Sequence, residues 1–438
     1  MTKMKESGID WIGQIPEEWE VSKLEQYVDI FGRIGFRGYT TNDIVKEGEG
    51  AISYSPSNII DYSVIDNNNT YISWSKYDES PEIQIKTGDV LYVKTGSSYG
   101  KTGIVNKLSN KATINPQLVV LKPKKNTDSR LINYFLNSSV GKEQSELIVG
   151  GSTIPTITQE SIKKMIFPKM SFEEQQKIAD FLDKKTAHLD KVKSLLEEQI
   201  QKLKDYRASL IYETVTKGLD KTVPMKDSGI DWIGQVPEGW GAGKVKYFSQ
   251  ISAGATPDRS NSLFWNGNIN WMSSGEVNQG IVKHTSETIT DLALKKTSTK
   301  LLPNGTVMLA LNGQGKTKGT AAVLAIESAS NQSLASFIVN NKILNNMYLY
   351  YFFVANYYNI RGLKGEDRDG LNLQLVSNIV IPLFEIEEQQ KIAYFLDKKT
   401  VQIDQLIQIK NKQIGNINKQ RQTLIYDYVT GKRRGKEI

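Results

Sequence analysis

Two loops rich in glycine and lysine carry the spacing in this chain that comes nearest to a catalytic motif. Gly96 to Thr102 has the pattern G-x-x-x-G-K-T, and Gly313 to Thr317 has the pattern G-x-G-K-T. A phosphate-binding loop needs a helix directly after the lysine, because the N-terminus of that helix holds the phosphates. Strand-like runs follow both loops, so the sequence does not predict ATP binding. We interpret the loops as flexible polar surfaces that contact a partner.

Other catalytic patterns are incomplete. Asn115-Pro116-Gln117-Leu118 approaches an adenine-methyltransferase motif, but it lacks the second proline and the aromatic residue, and no Gly-rich loop for S-adenosylmethionine accompanies it. The acidic run at 366–369 is interrupted by Arg368. The two histidines, His188 and His284, have no partner pattern, and the chain has no cysteine. The lack of cysteine excludes a thiol nucleophile and a cysteine-ligated metal. We therefore expect no catalytic residue and no metal site in this chain.

Two segments that each occur twice must position these loops. Residues 4–19 return as residues 225–240 with 13 of 16 positions identical, and residues 173–192 return as 387–406 with 14 of 20 identical. The inserts between them differ from each other. A chain built in this way offers two similar surfaces to partners and two different surfaces to one target.

The second repeated segment begins each of two predicted long helices. The stretch from Ser171 to Lys217 contains no glycine or proline, and a capping box of Ser171 and Glu174 predicts its start. In the first helix, we call the positions that recur every three or four residues from Gln175 the seam, because they would face a partner helix in a coiled coil. Eight of the eleven seam positions are apolar: Gln175, Ile178, Leu182, Lys185, Leu189, Val192, Leu196, Gln199, Leu203, Tyr206 and Leu210.

The second helix is predicted from about Glu385 to Val429, with a less regular seam and Gly415 in its interior. Two such seams in one chain predict an antiparallel pair. The alternative is that each helix packs on its own insert domain.

Each insert alternates short strand-like runs with turn residues and ends with a helix and a strand, which predicts a mixed α/β domain. The predicted fold class is α/β (α+β), with two such domains separated by two long helices packed as an antiparallel coiled coil, and an internal pseudo-twofold repeat. The predicted segments are 1–19 (N-terminal repeat), 20–170 (first insert), 171–217 (central helix), 218–240 (repeated linker), 241–384 (second insert), 385–431 (C-terminal helix) and 432–438 (basic tail).

Composition limits the class of protein. The 438 residues are 39% hydrophobic and 24% charged, with a formal net charge of +7. These values are typical of a soluble globular protein, and they permit a nucleic-acid partner without requiring one. The chain has no apolar run near the ~18 residues of a membrane span. Its N-terminus lacks the apolar core of a signal peptide, so we expect a cytoplasmic protein.

The repeated elements carry a family resemblance that covers essentially the whole chain. The doubled SGIDWIGQ-[IV]-P-x-x-W element and the doubled EEQQKIA-x-FLD element, which follows Pro168 and Pro382, resemble the specificity (S) subunit of Type I restriction–modification systems. In that family the two inserts are target recognition domains, each reading one half of a split sequence in double-stranded DNA. The paired helices set the spacer between the half-sites.

The resemblance also implies partners. Such a subunit recruits two methyltransferase (M) subunits and, through the complex, endonuclease/translocase (R) subunits. S-adenosylmethionine, ATP and Mg are then expected in those partners, with no cofactor in this chain and no membrane contact. Two alternatives from the residues alone are an enzyme that acts by itself on DNA and a coiled-coil scaffold without DNA specificity.

Polar and basic residues on the Gly-rich loops are the predicted DNA contacts, because arginine and lysine pair with guanine or phosphate and asparagine and glutamine pair with adenine. The alternative for each is an ordinary solvated loop residue. In the first insert we predict Arg33, Arg37, Tyr39, Lys94, Ser97, Ser98, Tyr99, Lys101, Ser152 and Thr153. In the second insert we predict Thr256, Arg259, Asn312, Gln314, Lys316, Lys318, Arg361, Lys364 and Arg368.

The first repeated segment supplies the predicted partner contacts. Its apolar residues lie beside proline and glycine turns, and residues of this kind are common at interfaces. They are Trp11, Ile12 and Trp19 and their copies Trp232, Ile233 and Trp240. The alternative is that they pack against the chain's own helices.

Overall fold

The computed structural model describes residues 3–33, 35, 38–151, 153–364 and 370–433. The backbone divides into two compact units, residues 1–196 with 412–438, and residues 197–411. Each predicted insert lies in one unit, but the unit borders fall inside the long helices. Three predicted DNA contacts, Arg37, Ser152 and Arg368, lie outside the described residues.

The first unit begins with a hairpin, continues through the first insert and contains the first part of one long helix and the last part of the other. Its strands are β1 (Met4–Glu6), β2 (Gln14–Pro16), β3 (Glu20–Lys23), β4 (Val28–Gly32), β5 (Ile44–Val45), β6 (Gly50–Tyr54), β7 (Ile59–Ile60), β8 (Ser63–Val64), β9 (Thr70–Ser73), β10 (Val90–Val93), β11 (Thr102–Ile104), β12 (Ala112–Ile114), β13 (Leu118–Pro123) and β14 (Ile166–Lys169). Its helices are α1 (Trp74–Asp78), α2 (Ser129–Asn137), α3 (Ser139–Ile148), α4 (Gln159–Lys163) and the start of α5 (Phe172–Lys217), with 3-10 turns at Leu24–Gln26, Thr41–Asp43, Pro56–Asn58 and Pro81–Ile83.

Two sheets form the body of the first insert, in the orders β4-β13-β10-β11-β8-β7 and β12-β6-β9-β5. Strand β10 is buried along its whole length because successive side chains point to opposite faces and both faces are covered. Val90 and Tyr92 join a core with α2 and α5, whereas Leu91 and Val93 join a core with β6 and β12. The central sheet is therefore a layer between a helical face and a second sheet.

The second unit repeats this plan with fewer strands. Its strands are β15 (Met225–Asp227), β16 (Gln235–Pro237), β17 (Gly241–Lys244), β18 (Ser249–Ala253), β19 (Trp265–Met272), β20 (Ile281–Val282), β21 (Glu287–Ile289), β22 (Val307–Ala310), β23 (Ala321–Leu324), β24 (Ala329–Ser330), β25 (Leu334–Val339) and β26 (Val380–Leu383). Its helices are α6 (Asp291–Lys296), α7 (Asn346–Ala355), α8 (Tyr357–Arg361), α9 (Leu373–Ser377) and most of α10 (Ile386–Val429), with 3-10 turns at Val245–Tyr247, Ser262–Phe264 and Ser274–Gln279.

The sheets of the second unit run β18-β25-β22-β23-β20 and β21-β19-β24. Strand β22 again lies between two cores, with Val307 and Leu309 toward α7 and α10, and Met308 and Ala310 toward the opposite side. Both inserts therefore share one architecture, as the sequence predicts.

Both long helices are confirmed, and α10 runs through Gly415 without a break. In the first unit Phe181 packs on Tyr428 with ring centroids 4.4 Å apart, and Asp190 lies 3.4 Å from Arg421. In the second unit Lys410 donates to Gln199 at 2.6 Å, and Arg207 lies 3.4 Å from Asp404. In each unit, contacts at higher residue numbers of α5 involve lower residue numbers of α10, so the two helices pair antiparallel.

The predicted seam of α5 is wrong in part. Lys185, Gln199 and Tyr206 are exposed, whereas Ile200 and Ile211, one residue after two predicted seam positions, are buried. Near the start of the helix the predicted seam residues Ile178 and Leu182 do join the first core, whereas near its end Ile211 joins the second core in place of the predicted seam position. The alternative, helix packing on an insert domain, therefore holds alongside the helix pair. Among the described helices, none is long and apolar enough to span a membrane.

Candidate nucleic-acid interface

In the first unit, the loop between β10 and β11 meets a second loop that is distant in sequence. Gly96 N donates to Pro155 O at 3.0 Å, and Ile157 N donates to Lys94 O at 2.8 Å. These bonds bring the predicted contacts of the first loop beside the segment that contains Thr153. Ser97 and Thr153 are exposed, and the half-buried members of the cluster are Lys94, Ser98, Tyr99 and Lys101.

A third segment, the turn that leads into β13, joins this cluster and was missed from the sequence. Lys94 N donates to Gln117 O at 2.9 Å, and Gln117 N donates to the side-chain oxygen of Asn115 at 3.0 Å. The Gln117 side chain is exposed. An amide on a hydrogen-bonded turn beside the loop is a suitable base-reading group. The available signal in the sequence was the Asn115-Pro116 pair, because asparagine and proline favour turns.

Arg33 requires a correction, because its side chain is only 5% exposed. It lies at the end of β4 and donates from Nε to Ile114 O at 3.1 Å and from Nη2 to Thr113 Oγ1 at 3.2 Å. Burial lowers the pKa of the Arg33 guanidinium from its usual value. The half-buried Tyr39 ring lies 5.4 Å from this guanidinium. Arg33 therefore ties β4 to the end of β12 and has no surface to offer DNA.

In the second unit, helix α8 holds the Gly-rich loop between β22 and β23. Arg361 donates from Nη1 to Gly315 O at 2.8 Å and to the Tyr357 hydroxyl at 3.0 Å. Tyr357 in turn donates to Lys316 O at 2.9 Å. Arg361, predicted as a DNA contact, therefore has a positioning role for the loop in this structure.

The other predicted residues near this loop differ in exposure. Lys318 is only 3% exposed, so the prediction of a DNA contact there is corrected: it lies in the turn that Gly319 N closes onto Ala310 O of β22 at 2.8 Å. The exposed side chains are Asn312, Gln314, Lys316 and Lys364.

The turn before β25 corresponds to the Gln117 turn of the first unit, and it too was missed. Leu311 N donates to Ser333 O at 2.8 Å, which places the turn beside the Gly-rich loop. The exposed Gln332 accepts a hydrogen bond from Thr256, a predicted contact that is also exposed. Both units thus place a glutamine on the turn next to the loop.

Arg259 is exposed but already engaged. Its guanidinium forms an ion pair with Glu287, with Nη2 3.0 Å from Oε2, and lies 4.3 Å from the centroid of the Trp265 ring. The ion pair lowers the pKa of the Glu287 carboxyl. Because guanidinium stacking leaves N–H groups at the edge, Arg259 keeps the capacity to donate to an anion.

The repeated apolar residues are mostly buried in the chain's own cores. Ile12, Trp19, Ile233 and Trp240 are at most 3% exposed. Trp19 Nε1 donates to Glu174 at 3.0 Å, and the Trp240 ring stacks on Phe384 at 3.6 Å. For these four residues the alternative role, internal packing, is the one observed. A partner contact stays a prediction for the half-buried Trp11 and Trp232.

The repeated helix sequence has an internal role as well. Tyr134 donates to Asp183 at 2.7 Å in the first unit, and Tyr351 donates to Asp397 at 2.7 Å in the second. Gln175 and Gln389 each accept a backbone N–H from the insert, at 3.1 and 2.9 Å. Paired positions of the repeat therefore fasten each insert to its long helix with the same bonds.

One of these attachments differs in charge. Arg130 in α2 lies 2.7 Å from Asp128, 2.7 Å from Asp180 and 2.8 Å from Asp183. Hydrogen bonding to Asp128 is the largest cause that raises the pKa of Arg130. At the corresponding position, four residues before Tyr351, the second unit has Met347. At this one position the first unit therefore has ion pairs between insert and helix, whereas the second unit has a partly buried methionine that packs against its core.

No group of three or more histidine, aspartate or glutamate residues suited to a metal ion occurs in the described parts of the chain. A family model described as "Type I restriction modification DNA specificity domain" matches residues 16–204 and 237–433. The chain is 25% identical over 439 residues to the Type I restriction enzyme MjaVIII specificity subunit of Methanocaldococcus jannaschii, covering 97% of this chain and 95% of that one. It is 25% identical over 281 residues to the EcoR124I/EcoR124II specificity subunit of Escherichia coli, covering 61% and 62%.

Two solved structures share the fold. One chain, from a study of "complex assembly and conformational transition of the type I R-M system", superposes with a TM-score of 0.74 at 14% identity, covering 95% of this chain and 98% of that one. The HsdS subunit from Thermoanaerobacter tengcongensis superposes with a TM-score of 0.55 at 14% identity, covering 96% and 98%.

Proposed function

The chain belongs to the family of Type I restriction–modification specificity subunits, and we propose that it reads a bipartite target in double-stranded DNA for such a complex. The observation that carries the proposal is the pairing of one architecture with two different loop clusters. Each insert places a Gly-rich loop beside a turn that carries an exposed glutamine. The residues on those loops differ between the units, so each insert reads a different half-site.

We propose that phosphate contacts come from the lysines of the loops and base contacts from the amides. Lys101 and Lys316 carry the first role, because a flexible ammonium group interacts with phosphate as a point charge. Gln117, Gln314 and Gln332 carry the second, because a side-chain amide can form two hydrogen bonds with adenine.

Two methyltransferase subunits dock, in this proposal, on the repeated and exposed face of the long helices. Residues on one face of α5 recur on α10 and are exposed in both copies: Glu173, Gln176, Lys177 and Lys184, with Glu387, Gln390, Lys391 and Lys398. Endonuclease subunits join through that complex. The chain itself is non-catalytic, S-adenosylmethionine, ATP and Mg belong to the partner subunits, and the complex acts in the cytoplasm. The helix pair sets the spacer between the half-sites.

The test exchanges residues 20–170 for the matching insert of a relative with a known target and sequences the methylome of cells that express the exchanged chain. We expect one half of the methylated motif to change while the other half is retained. A change in both halves, or in neither, contradicts modular reading.

Two controls separate this function from its alternatives. The purified chain alone should transfer no labelled methyl group to DNA, whereas a lone enzyme would. The chain with its methyltransferase partner should shift target DNA more than DNA with a scrambled half-site, whereas a scaffold without DNA specificity would treat both alike.

A further inference from the structure

The turn before β13 in the first unit holds the exposed Gln117 at both its backbone and its side chain. Lys94 N and Thr95 N donate to Gln117 O at 2.9 and 3.3 Å, and Gln117 N donates to Asn115 Oδ1 at 3.0 Å. Asn115 Nδ2 donates to Gln117 Oε1 at 3.2 Å. Asn115 is only 9% exposed, so both polar atoms of a buried amide are used by the one exposed glutamine.

These bonds determine which way round the two side-chain amides lie. A backbone N–H can only donate, so the atom of the Asn115 side chain that receives Gln117 N is its oxygen. The other polar atom of Asn115 is then the NH2 group, which can only donate, so it faces the oxygen of the Gln117 side chain. The Gln117 amide is therefore held with Oε1 toward the buried Asn115, which leaves Nε2 for other contacts.

The nitrogen of the Gln117 side chain lies at the Gly-rich loop between β10 and β11. It is 3.5 Å from the position that a Cβ would take on Gly96, whose φ of +105° lies in the region that favours glycine. The same loop carries the exposed Ser97 and the half-buried Lys101, both predicted DNA contacts. The part of the Gln117 amide that lies beside these residues is therefore a hydrogen-bond donor.

The second unit has the same turn with a different arrangement of its glutamine. Ser333 N donates to Asn331 Oδ1 at 3.1 Å, which is the counterpart of the backbone bond in the first unit. The glutamine here is Gln332, the residue between them, and its side chain bonds to the Thr256 hydroxyl. Because a hydroxyl can donate or accept, this bond is compatible with either orientation of the Gln332 amide. The bond from an asparagine NH2 group thus distinguishes the glutamine of the first unit.

We propose that Asn115 is a positioning residue that makes Gln117 read a base through its donor. In the major groove, guanine O6 and thymine O4 accept hydrogen bonds, whereas the amino groups of adenine and cytosine donate them. Purine N7 accepts in both adenine and guanine, so the neighbouring keto or amino group decides the preference. The held orientation selects a keto base, guanine or thymine, on the strand that Gln117 contacts. This inference rests on the proposed function and narrows it, since an amide that turns over freely reads either class of base.

The Asn115→Asp variant tests the orientation. It keeps an acceptor for Gln117 N but replaces the NH2 group by a second oxygen, so the Gln117 amide turns over, donates to the carboxylate and presents Oε1 to DNA. At one base pair of the first half-site, the two base pairs that the parent chain prefers should become the two that bind less tightly. We expect each preference to change by about five- to tenfold in relative affinity, as for one hydrogen bond.

Fluorescence anisotropy of the chain with its methyltransferase partner measures the ranking, on a panel in which each base pair of the first half-site is replaced by the other three. The ranking separates this effect from a loss of affinity that is equal on every sequence. Gln117→Ala is the matched control, because it should relax the preference at the same base pair without reversing it. If Gln117→Ala relaxes no position, the base contact proposed for Gln117 and this inference both fail.

The Gln117→Glu variant decides the question if Asn115→Asp protein does not fold. Its carboxylate accepts from Asn115 Nδ2 and presents only oxygen to DNA, so the same reversal is expected. A parent amide that already presented its oxygen would give no reversal in this variant. If Gln117→Ala relaxes one base pair but folded Asn115→Asp or Gln117→Glu protein does not reverse the ranking there, the inference is overturned while the proposed function stands.

Discussion

The Arg361→Ala variant tests whether Arg361 positions the Gly-rich loop of the second unit or contacts a DNA phosphate directly. The guanidinium makes two short hydrogen bonds to the loop and its support, 2.8 Å to Gly315 O and 3.0 Å to Tyr357, and a longer one of 3.4 Å to Lys318 O. A hydrogen bond from a charged donor contributes about 1.5–3 kcal/mol. Because the Arg361 side chain is half-buried, the lower end of that range applies. We therefore expect the variant to lose about 1.5–2 kcal/mol of DNA-binding free energy, since the released loop must be ordered when DNA binds.

That cost corresponds to a loss of roughly ten- to thirtyfold in affinity. The loss should be confined to DNA that carries the intact second half-site. DNA with a scrambled second half-site should bind the variant and the parent chain about equally. Fluorescence anisotropy of the chain with its methyltransferase partner, on both DNAs and over a series of salt concentrations, measures these effects.

The salt dependence of DNA binding distinguishes a positioning role of Arg361 from a phosphate contact. A phosphate contact contributes about 0.9 to the slope of log affinity against log salt, so its loss lowers the slope by that amount on every sequence. A positioning residue leaves the slope unchanged. Arg361→Lys is the matched control, because lysine retains the charge but not the planar array of donors. A uniform loss on both DNAs, with a lower slope and rescue by lysine, would refute the positioning role.

Three further predictions follow from the two units. Gln314→Ala should relax the preference at one base pair of the second half-site by about 1–3 kcal/mol, measured by binding to a panel of single-base variants, with other positions unchanged. Asp183→Asn should lower stability by about 1–2 kcal/mol at neutral pH because Arg130 loses a partner, whereas Asp397→Asn should leave the melting temperature unchanged or raise it. Burial raises the pKa of Asp397, so ionisation of this carboxyl lowers the folding stability as the pH rises through the folded-state pKa. The melting temperature of Asp397→Asn should therefore equal that of the parent chain in melts near pH 4, where the carboxyl is protonated. A loss of stability larger than that of Asp183→Asn would contradict this reasoning. An insertion of four residues after Leu196, where the first unit ends within α5, adds about 6 Å of helix. Methylome sequencing should then show a spacer that is longer by one or two base pairs, with both half-sites retained. A folded, active variant with the original spacer would show that the helices do not set the spacer length.

Local patterns in the sequence determined the repeated plan of this protein. The two long helices follow from runs without glycine or proline and from apolar spacing, and the shared plan of the inserts follows from alternating strand patterns. The repeated segments carry the resemblance to the family, because their sequences recur almost unchanged in the two halves. These features depend on residues close together in the chain, where periodicity and capping act directly.

Only the tertiary structure decided which side chains reach the surface. Arg33 and Lys318 are buried although both lie beside Gly-rich loops, because Arg33 bonds to β12 and the turn of Lys318 closes onto β22. Gln117 joins the loop of Lys94, and Gln332 meets Thr256, through contacts between segments far apart in sequence. Ile211 of α5 is buried one residue after a predicted seam position because that end of the helix packs on the second core. Such contacts depend on which strands pair and which helix covers them, and no local periodicity encodes that choice.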